Sequence, residues 1–138
     1  LITKTNDIQD FLIICDELNK VKNCRINSNK LTMHMSCNPN VSTYVSHDNN
    51  NKLNGCVVLL KTMDILGDLI FFVLFQWRDS HFPKLAQEFI EFASERAKEE
   101  GISKIVFTNS RDEKVVERAS GKYGFRKAYS VWEKEVII

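Results

Sequence analysis

The sequence predicts an α/β fold, a mixed central sheet covered by helices on both faces. Three observations carry this. The run Leu69–Phe75, "LIFFVLF", is apolar at every position, the pattern of a strand buried between two layers. The segment Pro83 to Glu100 spaces its apolar residues as a helix does, and "KIVF" follows it closely, which makes a strand-helix-strand unit. Ahead of both, "GCVVLLKTMDI" and "DLIFFVLFQW" meet near Leu66-Gly67-Asp68 and read as a hairpin.

The elements follow in order. "TNDIQDFLIICDELNKVK" places Ile8, Phe11, Leu12, Cys15 and Leu18 on one helical face over Asp7 to Lys22, with Thr5 or Asn6 as cap. From Cys24 to Asn51 the pattern weakens. "VSTYVSH" alternates as a strand, and Asp48 to Asn51 forms a turn; the short asparagine run reads as a loop. After the hairpin, Pro83 suits the first turn of the long helix and Gly101 its end. Leu85, Phe89, Phe92 and Ala93 make its sheet-facing stripe, widened by Ala86, Ile90 and Ala97. "KIVFTNS" is a strand, "RDEKVVERASGKYG" a short helix, and "FRKAYSVWEKEVII" a last strand, giving the order αβββαβαβ.

With 138 residues the chain has the length of one domain, 1–138, able to bury a core. A net charge of +1 gives no electrostatic case for nucleic acid or an anionic membrane, and no apolar stretch is long enough to span a bilayer. No signal peptide is evident, and opening on Leu rather than Met fits a trimmed start or a domain cut from a longer protein. Cys15, Cys24, Cys37 and Cys56 lack the close pairs of a zinc site and read as reduced cytoplasmic thiols, with Cys15 and Cys56 buried. His34, His47 and His81 share no metal-ligand spacing, so no metal is expected. Trp77 and Trp132, without a basic surface around them, read as core or interface packing rather than a base-stacking platform. Asp64 and Asp68 flank the hairpin turn as solvated residues.

From about Leu53 to Val136 the run of parts resembles the GCN5-related N-acetyltransferase (GNAT) superfamily. The resemblance rests on a hairpin, a loop into a long helix ending "ERAKEEG", the strand "KIVF", a short helix and "YGFRKAYSVWEKEV" with Gly124-Phe125. It implies acetyl-CoA bound where the two middle strands part, its pyrophosphate held by backbone amides of an R/Q-x-x-G-x-G/A loop. Counting back from "ERAKEEG" puts that loop on "HFPKLA", so Lys84, Leu85, Ala86 and Gln87 are the expected cofactor contacts. His81 stands at the Arg/Gln position and Lys84 at the first Gly; only Ala86 agrees with the motif. A Cβ where glycine is usual crowds a phosphate. Lys84 either reaches the phosphates as a point charge or points into water from the first helical turn.

The resemblance also implies a base and a tyrosine acid. No carboxylate interrupts "LIFFVLF", the tyrosine position holds Ser120, and Tyr123 is nearly a helical turn out of register, which suits packing. No catalytic residue is assigned. The missing glycines favour a noncatalytic assembly or partner-binding protein with a degenerate acetyl-CoA loop. The alternative is an active N-acetyltransferase that passes an acetyl group from acetyl-CoA to a small-molecule amine. The Asn, Lys and Ile bias suits an AT-rich genome, and phage internal-virion proteins include degenerate GNAT-like members, so virion association stands beside a cytoplasmic location.

Overall fold

The computed structural model describes residues 1–21, 25–108, 117–118, 121–129 and 131–137. Two compact units follow one another, Leu1–Phe107 and Thr108–Ile138. The first holds β1 (Thr3–Thr5), α1 (Ile8–Lys20), α2 (Ser28–Cys37), β2 (Val41–His47), β3 (Leu53–Met63), β4 (Leu69–Arg78), α3 (Leu85–Glu99) and β5 (Lys104–Phe107). The sheet runs in chain order from β1 to β5. Every pair is antiparallel except β4 and β5, which are parallel, as a strand-helix-strand unit requires.

Alternation along β3 splits the core in two. Cys56 and Val58 join Phe11, Ile14 and Leu18 of α1 and Leu31 and Met35 of α2. Val57 and Leu59 join Leu85, Phe89, Ala93 and Ala97 of α3 on the other face. The α3 residues fall at every fourth position, a straight seam down the helix. Phe92, of the expected stripe, is half-buried, its ring centroid 4.8 Å from that of Tyr44.

Two irregularities break the ladders. Val58 pairs with Phe75 but Leu59 pairs with Val73, so Leu74 is an extra residue in β4. β5 pairs with β4 only as far as Val73↔Phe107, while β4 continues to Arg78. The second lies at the start of β3, where Ser46 pairs with Gly55 and His47 with Leu53, leaving Asn54 as the extra residue.

Several expectations need correction. In α1 Ile14 is buried, while Ile8 and Leu12 are exposed, so the buried face is rotated from the one predicted. Its cap is Asp7, whose carboxylate accepts from the Gln9 amide; Thr5 instead hydrogen-bonds Asp10 and the Asp7 amide. α2 was not foreseen, because only Leu31 and Met35 of its residues are buried. The helix expected from Pro83 begins at Leu85. Asp64 is not a solvated turn residue: its side chain is 2% exposed, accepts from the Leu66 and Asp68 amides, and binds the Lys104 ammonium at 2.9 Å. Asp68 is half-exposed and also reaches Lys104, at 2.6 Å.

The cysteine expectations meet the structure at three positions: Cys15 and Cys56 are buried thiols and Cys37 is exposed, while Cys24 lies outside the described residues. Trp77 packs against the α1 side of the core. Trp132 does not pack as expected of a core residue: it is 92% exposed.

In the second unit, residues 117–118 and 121–122 are helical, and the rest of the expected short helix, with Ser120, lies outside the described residues. Tyr123 is half-buried in a turn closed by Gly124, whose φ of +83° suits glycine. The expected last strand is not found at 125–129 or 131–137. All of Val131 to Ile137 is exposed, so its alternating apolar positions gain no burial to favour an extended pairing.

Candidate functional site

The polypeptide leaves β4 at Arg78 and enters α3 at Leu85, so the intervening loop sits at the end of the sheet where β4 has outrun its β5 partner. The Asp79 amide anchors the loop on the Asn54 carbonyl at 2.8 Å. The Asp79 carboxylate then folds back on the chain: its Oδ1 accepts from the His81 amide at 2.9 Å and lies 2.7 Å from His81 Nδ1. Those two contacts, the amide first, hold the Asp79 carboxyl below its ordinary value, so it is an anion at neutral pH. The Phe82 amide donates to the Asp79 carbonyl at 3.0 Å and the Leu85 amide to the Phe82 carbonyl at 3.1 Å. The loop is thus tied to itself.

The four expected cofactor contacts are close in sequence but serve different purposes. Lys84 caps α3 by backbone position alone, with no side-chain cap bond, and its side chain is exposed. Leu85 is buried in the α3 core. The Ala86 carbonyl accepts from the Gln76 carboxamide at 3.2 Å, pinning the first turn of α3 to β4. Gln87 turns outward to Glu91 at 2.9 Å. Among the described residues the Ala86 and Gln87 amides have no acceptor, as expected near a helix start.

A cleft of about 590 Å³ opens beside this loop. It is lined by residues of the β2–β3 turn, among them Ser46, Asp48 and Asn54, and by the loop and first turn of α3, among them Lys84 and Leu85. Asn54 is 4% exposed, and among the described residues its Oδ1 has no hydrogen-bond partner. Sequence reading missed Asn54 because a bulge depends on the register of two strands, and only the turn-like "NG" pair hints at it.

Along β4, Phe72 to Phe75 offers no titratable side chain, so nothing there can act as an acid or base. Among the described residues, no three His, Cys, Asp or Glu side chains come together as a metal site, and no helix is long and apolar enough to cross a membrane.

No family model matches the chain, and no curated protein matches it by sequence. Solved structures match it well. A transcriptional regulator from Bacillus halodurans C-125 superimposes with a TM-score of 0.81 at 15% identity, covering 99% of both chains. A possible acetyltransferase from Clostridium difficile 630 gives a TM-score of 0.77 at 10% identity, over 100% of this chain and 98% of that one. The acetyltransferase AAC(6')-Iy, solved in complex with a bisubstrate analogue of CoA, gives 0.77 at 9% identity over 100% and 98%. These identities speak to the fold, and they agree with the parallel β4–β5 pair, the helix between them and the two-layer core. The chain has the GNAT acetyltransferase fold.

Proposed function

We propose that this chain uses the acetyltransferase fold without the reaction, as a noncatalytic partner-binding or assembly protein. The observation that carries the reading is the β4–α3 loop. A pyrophosphate site needs outward amides and no competing anion. Here the amides of His81, Phe82 and Leu85 are bonded within the chain, and the Asp79 carboxylate contributes a negative charge beside them. The loop therefore does not fit the pyrophosphate of acetyl-CoA. Exposed Ile8, Leu12 and Ile13 on α1 add an apolar face of the kind that partners cover.

One observation favours the second reading, an N-acetyltransferase acting on an amine. The Ala86 and Gln87 amides lack acceptors among the described residues, and two amides at a helix start can hold an anion. Calorimetric titration with acetyl-CoA separates the two. The proposal expects no saturable heat up to millimolar ligand; saturable binding at micromolar concentration would sink it and restore the enzyme.

A further inference from the structure

The β2–β3 and β3–β4 hairpin turns are built alike. In the first, Asp48 Oδ1 accepts from the Asn50 and Lys52 amides, and the Asp48 amide donates to the Lys52 carbonyl. Its fourth residue, Asn51, has a φ of +63° and donates its amide to the Asp48 carbonyl. In the second, Asp64 Oδ1 accepts from the Leu66 and Asp68 amides, and the Asp64 amide donates to the Asp68 carbonyl. Its fourth residue, Gly67, has a φ of +88° and donates to the Asp64 carbonyl. Such a turn calls for an aspartate first and a residue that tolerates the left-handed region fourth; its second and third side chains are free to vary. In the first turn these are exposed Asn49 and Asn50; in the second they are Ile65 and Leu66, 76% and 75% exposed.

Neither the turn nor the core therefore accounts for Ile65 and Leu66. Met63 and Leu69, also exposed, pair across the two strands directly behind them, so residues 63–69 present four large apolar side chains to solvent. A contiguous exposed apolar patch marks an interaction site. The tip is also ready to be covered, because the amides of Asp64, Leu66, Gly67 and Asp68 are already bonded within the turn and none of them would be stranded.

Size and charge select the partner. A stable dimer takes about 20–30 residues a side, far more than this tip offers, so the patch suits a short segment rather than a folded face. Beside it stand two carboxylates, Asp64 and Asp68, and one ammonium, Lys104, a net charge of −1. The nearby Lys61 and Glu100 cancel one another at 3.0 Å. Two copies brought tip to tip would repel, and so would an anionic lipid surface. A segment with lysine or arginine beside its apolar residues would be attracted.

We propose that the tip of the β3–β4 hairpin docks a short protein segment that is apolar on one side and basic beside it. The tip lies at the end of β4 opposite the β4–α3 loop, so the proposal goes beyond the reading above and stands whether or not that loop binds acetyl-CoA.

The test is a titration of the isotope-labelled chain with a synthetic helical peptide, leucine on one face and lysine on the other, followed by amide nuclear magnetic resonance. Its glutamate-for-lysine counterpart is the control. Saturable shifts confined to residues 63–69 and 104 are expected with the lysine peptide alone, and salt should weaken them. Ile65→Asn with Leu66→Asn copies the residues of the other turn, so the urea midpoint should hold while affinity falls about tenfold or more. Asp68→Asn should lower the affinity and its salt dependence together. Equal shifts with the glutamate peptide, no saturable shift with either, or unchanged binding by the double variant would overturn the proposal. So would a markedly lower urea midpoint of that variant, which would give Ile65 and Leu66 a role in the fold. Sedimentation that rises with concentration, or flotation with phosphatidylcholine vesicles, abolished in either case by the double variant, would instead assign the patch to a second copy or to lipid.

Discussion

Gly55→Ala tests whether α3 is seated on the sheet as described. A Cβ built on Gly55 would lie 2.8 Å from Phe89 Cε2, 3.1 Å from Leu85 Cδ1 and 3.1 Å from the Trp77 carbonyl oxygen. Replacing glycine by alanine at an unstrained site stabilises by about 0.4–1 kcal/mol through the unfolded chain. Overpacking a core costs about 1–3 kcal/mol, and the Trp77 oxygen is backbone that cannot rotate away. The clash therefore wins, leaving a net loss of about 1–2 kcal/mol. With a urea m-value of about 1–3 kcal/mol/M, equilibrium unfolding should show the midpoint falling by about 0.3–2 M. Phe89→Leu removes the ring edge, so the same substitution in that background should cost less by more than ~0.5 kcal/mol, a coupling expected only between touching residues. An unchanged midpoint, or equal cost in both backgrounds, would show that α3 does not press on β3 at Gly55.

Phe89 is fully buried, so Phe89→Ala should cost about 3–5 kcal/mol by urea unfolding, whereas Glu95→Ala on the exposed face should cost less than ~0.5 kcal/mol; equal effects would mean the helical phase is wrong. Asp64 is held below its ordinary value of 3.8, chiefly by the Lys104 side chain, so its contribution is full above that pH and is lost as pH falls through the depressed value. Unfolding midpoints should therefore drop below pH 3.8, and Asp64→Asn should flatten that limb; an unaltered limb would assign the acid sensitivity to other carboxyls. Lys104 is raised above 10.5, first by Asp68 and then by Asp64, so the same cluster should hold up to that pH and weaken only as pH rises through the raised value. Asp79→Ala frees the His81 amide and removes an anion from the loop, so calorimetry should find acetyl-CoA bound more tightly by the variant than by the parent; unchanged heats would show that Asp79 is not what closes the loop.

The elements legible in the sequence are those with an uninterrupted apolar pattern. β4 announces itself by an apolar run, although only Ile70 and Phe71 of it are buried and Phe72 to Phe75 are half-buried rather than enclosed between two layers. α3 announces itself by the seam Leu85, Phe89, Ala93 and Ala97. α2 left no such trace: "SNKLTMHMSC" buries Leu31 and Met35 one turn apart and exposes most of the rest, so polar residues drown its period. In α1, Leu12 and Ile13 are apolar yet exposed, and two apolar residues beside a buried Phe11 and Ile14 make several helical phases look equally good. The loop's departure from a glycine motif was plain from "HFPKLA", but not what replaces it. Whether an aspartate hydrogen-bonds two residues onward is decided by loop geometry, and Asp79 looks in sequence like any turn residue. The Asp64–Lys104 contact joins residues 40 apart in the chain, beyond any local signal.

The buried thiols turn this fold into its own stopwatch. Burial pushes the Cys56 thiol up to about 12, so almost none of it is the reactive thiolate at neutral pH, and no reagent reaches it while β3 stays inside the sheet. Cys15 lies under α2 with its Sγ 3.6 Å from the Thr32 hydroxyl, and Cys37 stands in the open at the end of α2. In a Cys24→Ser background an alkylating reagent would meet these in sequence: Cys37 at once, Cys15 when α2 lifts from α1, Cys56 only when strands separate. The mass of the labelled chain against time would then resolve peripheral opening from rupture of the sheet, with no probe added to the molecule.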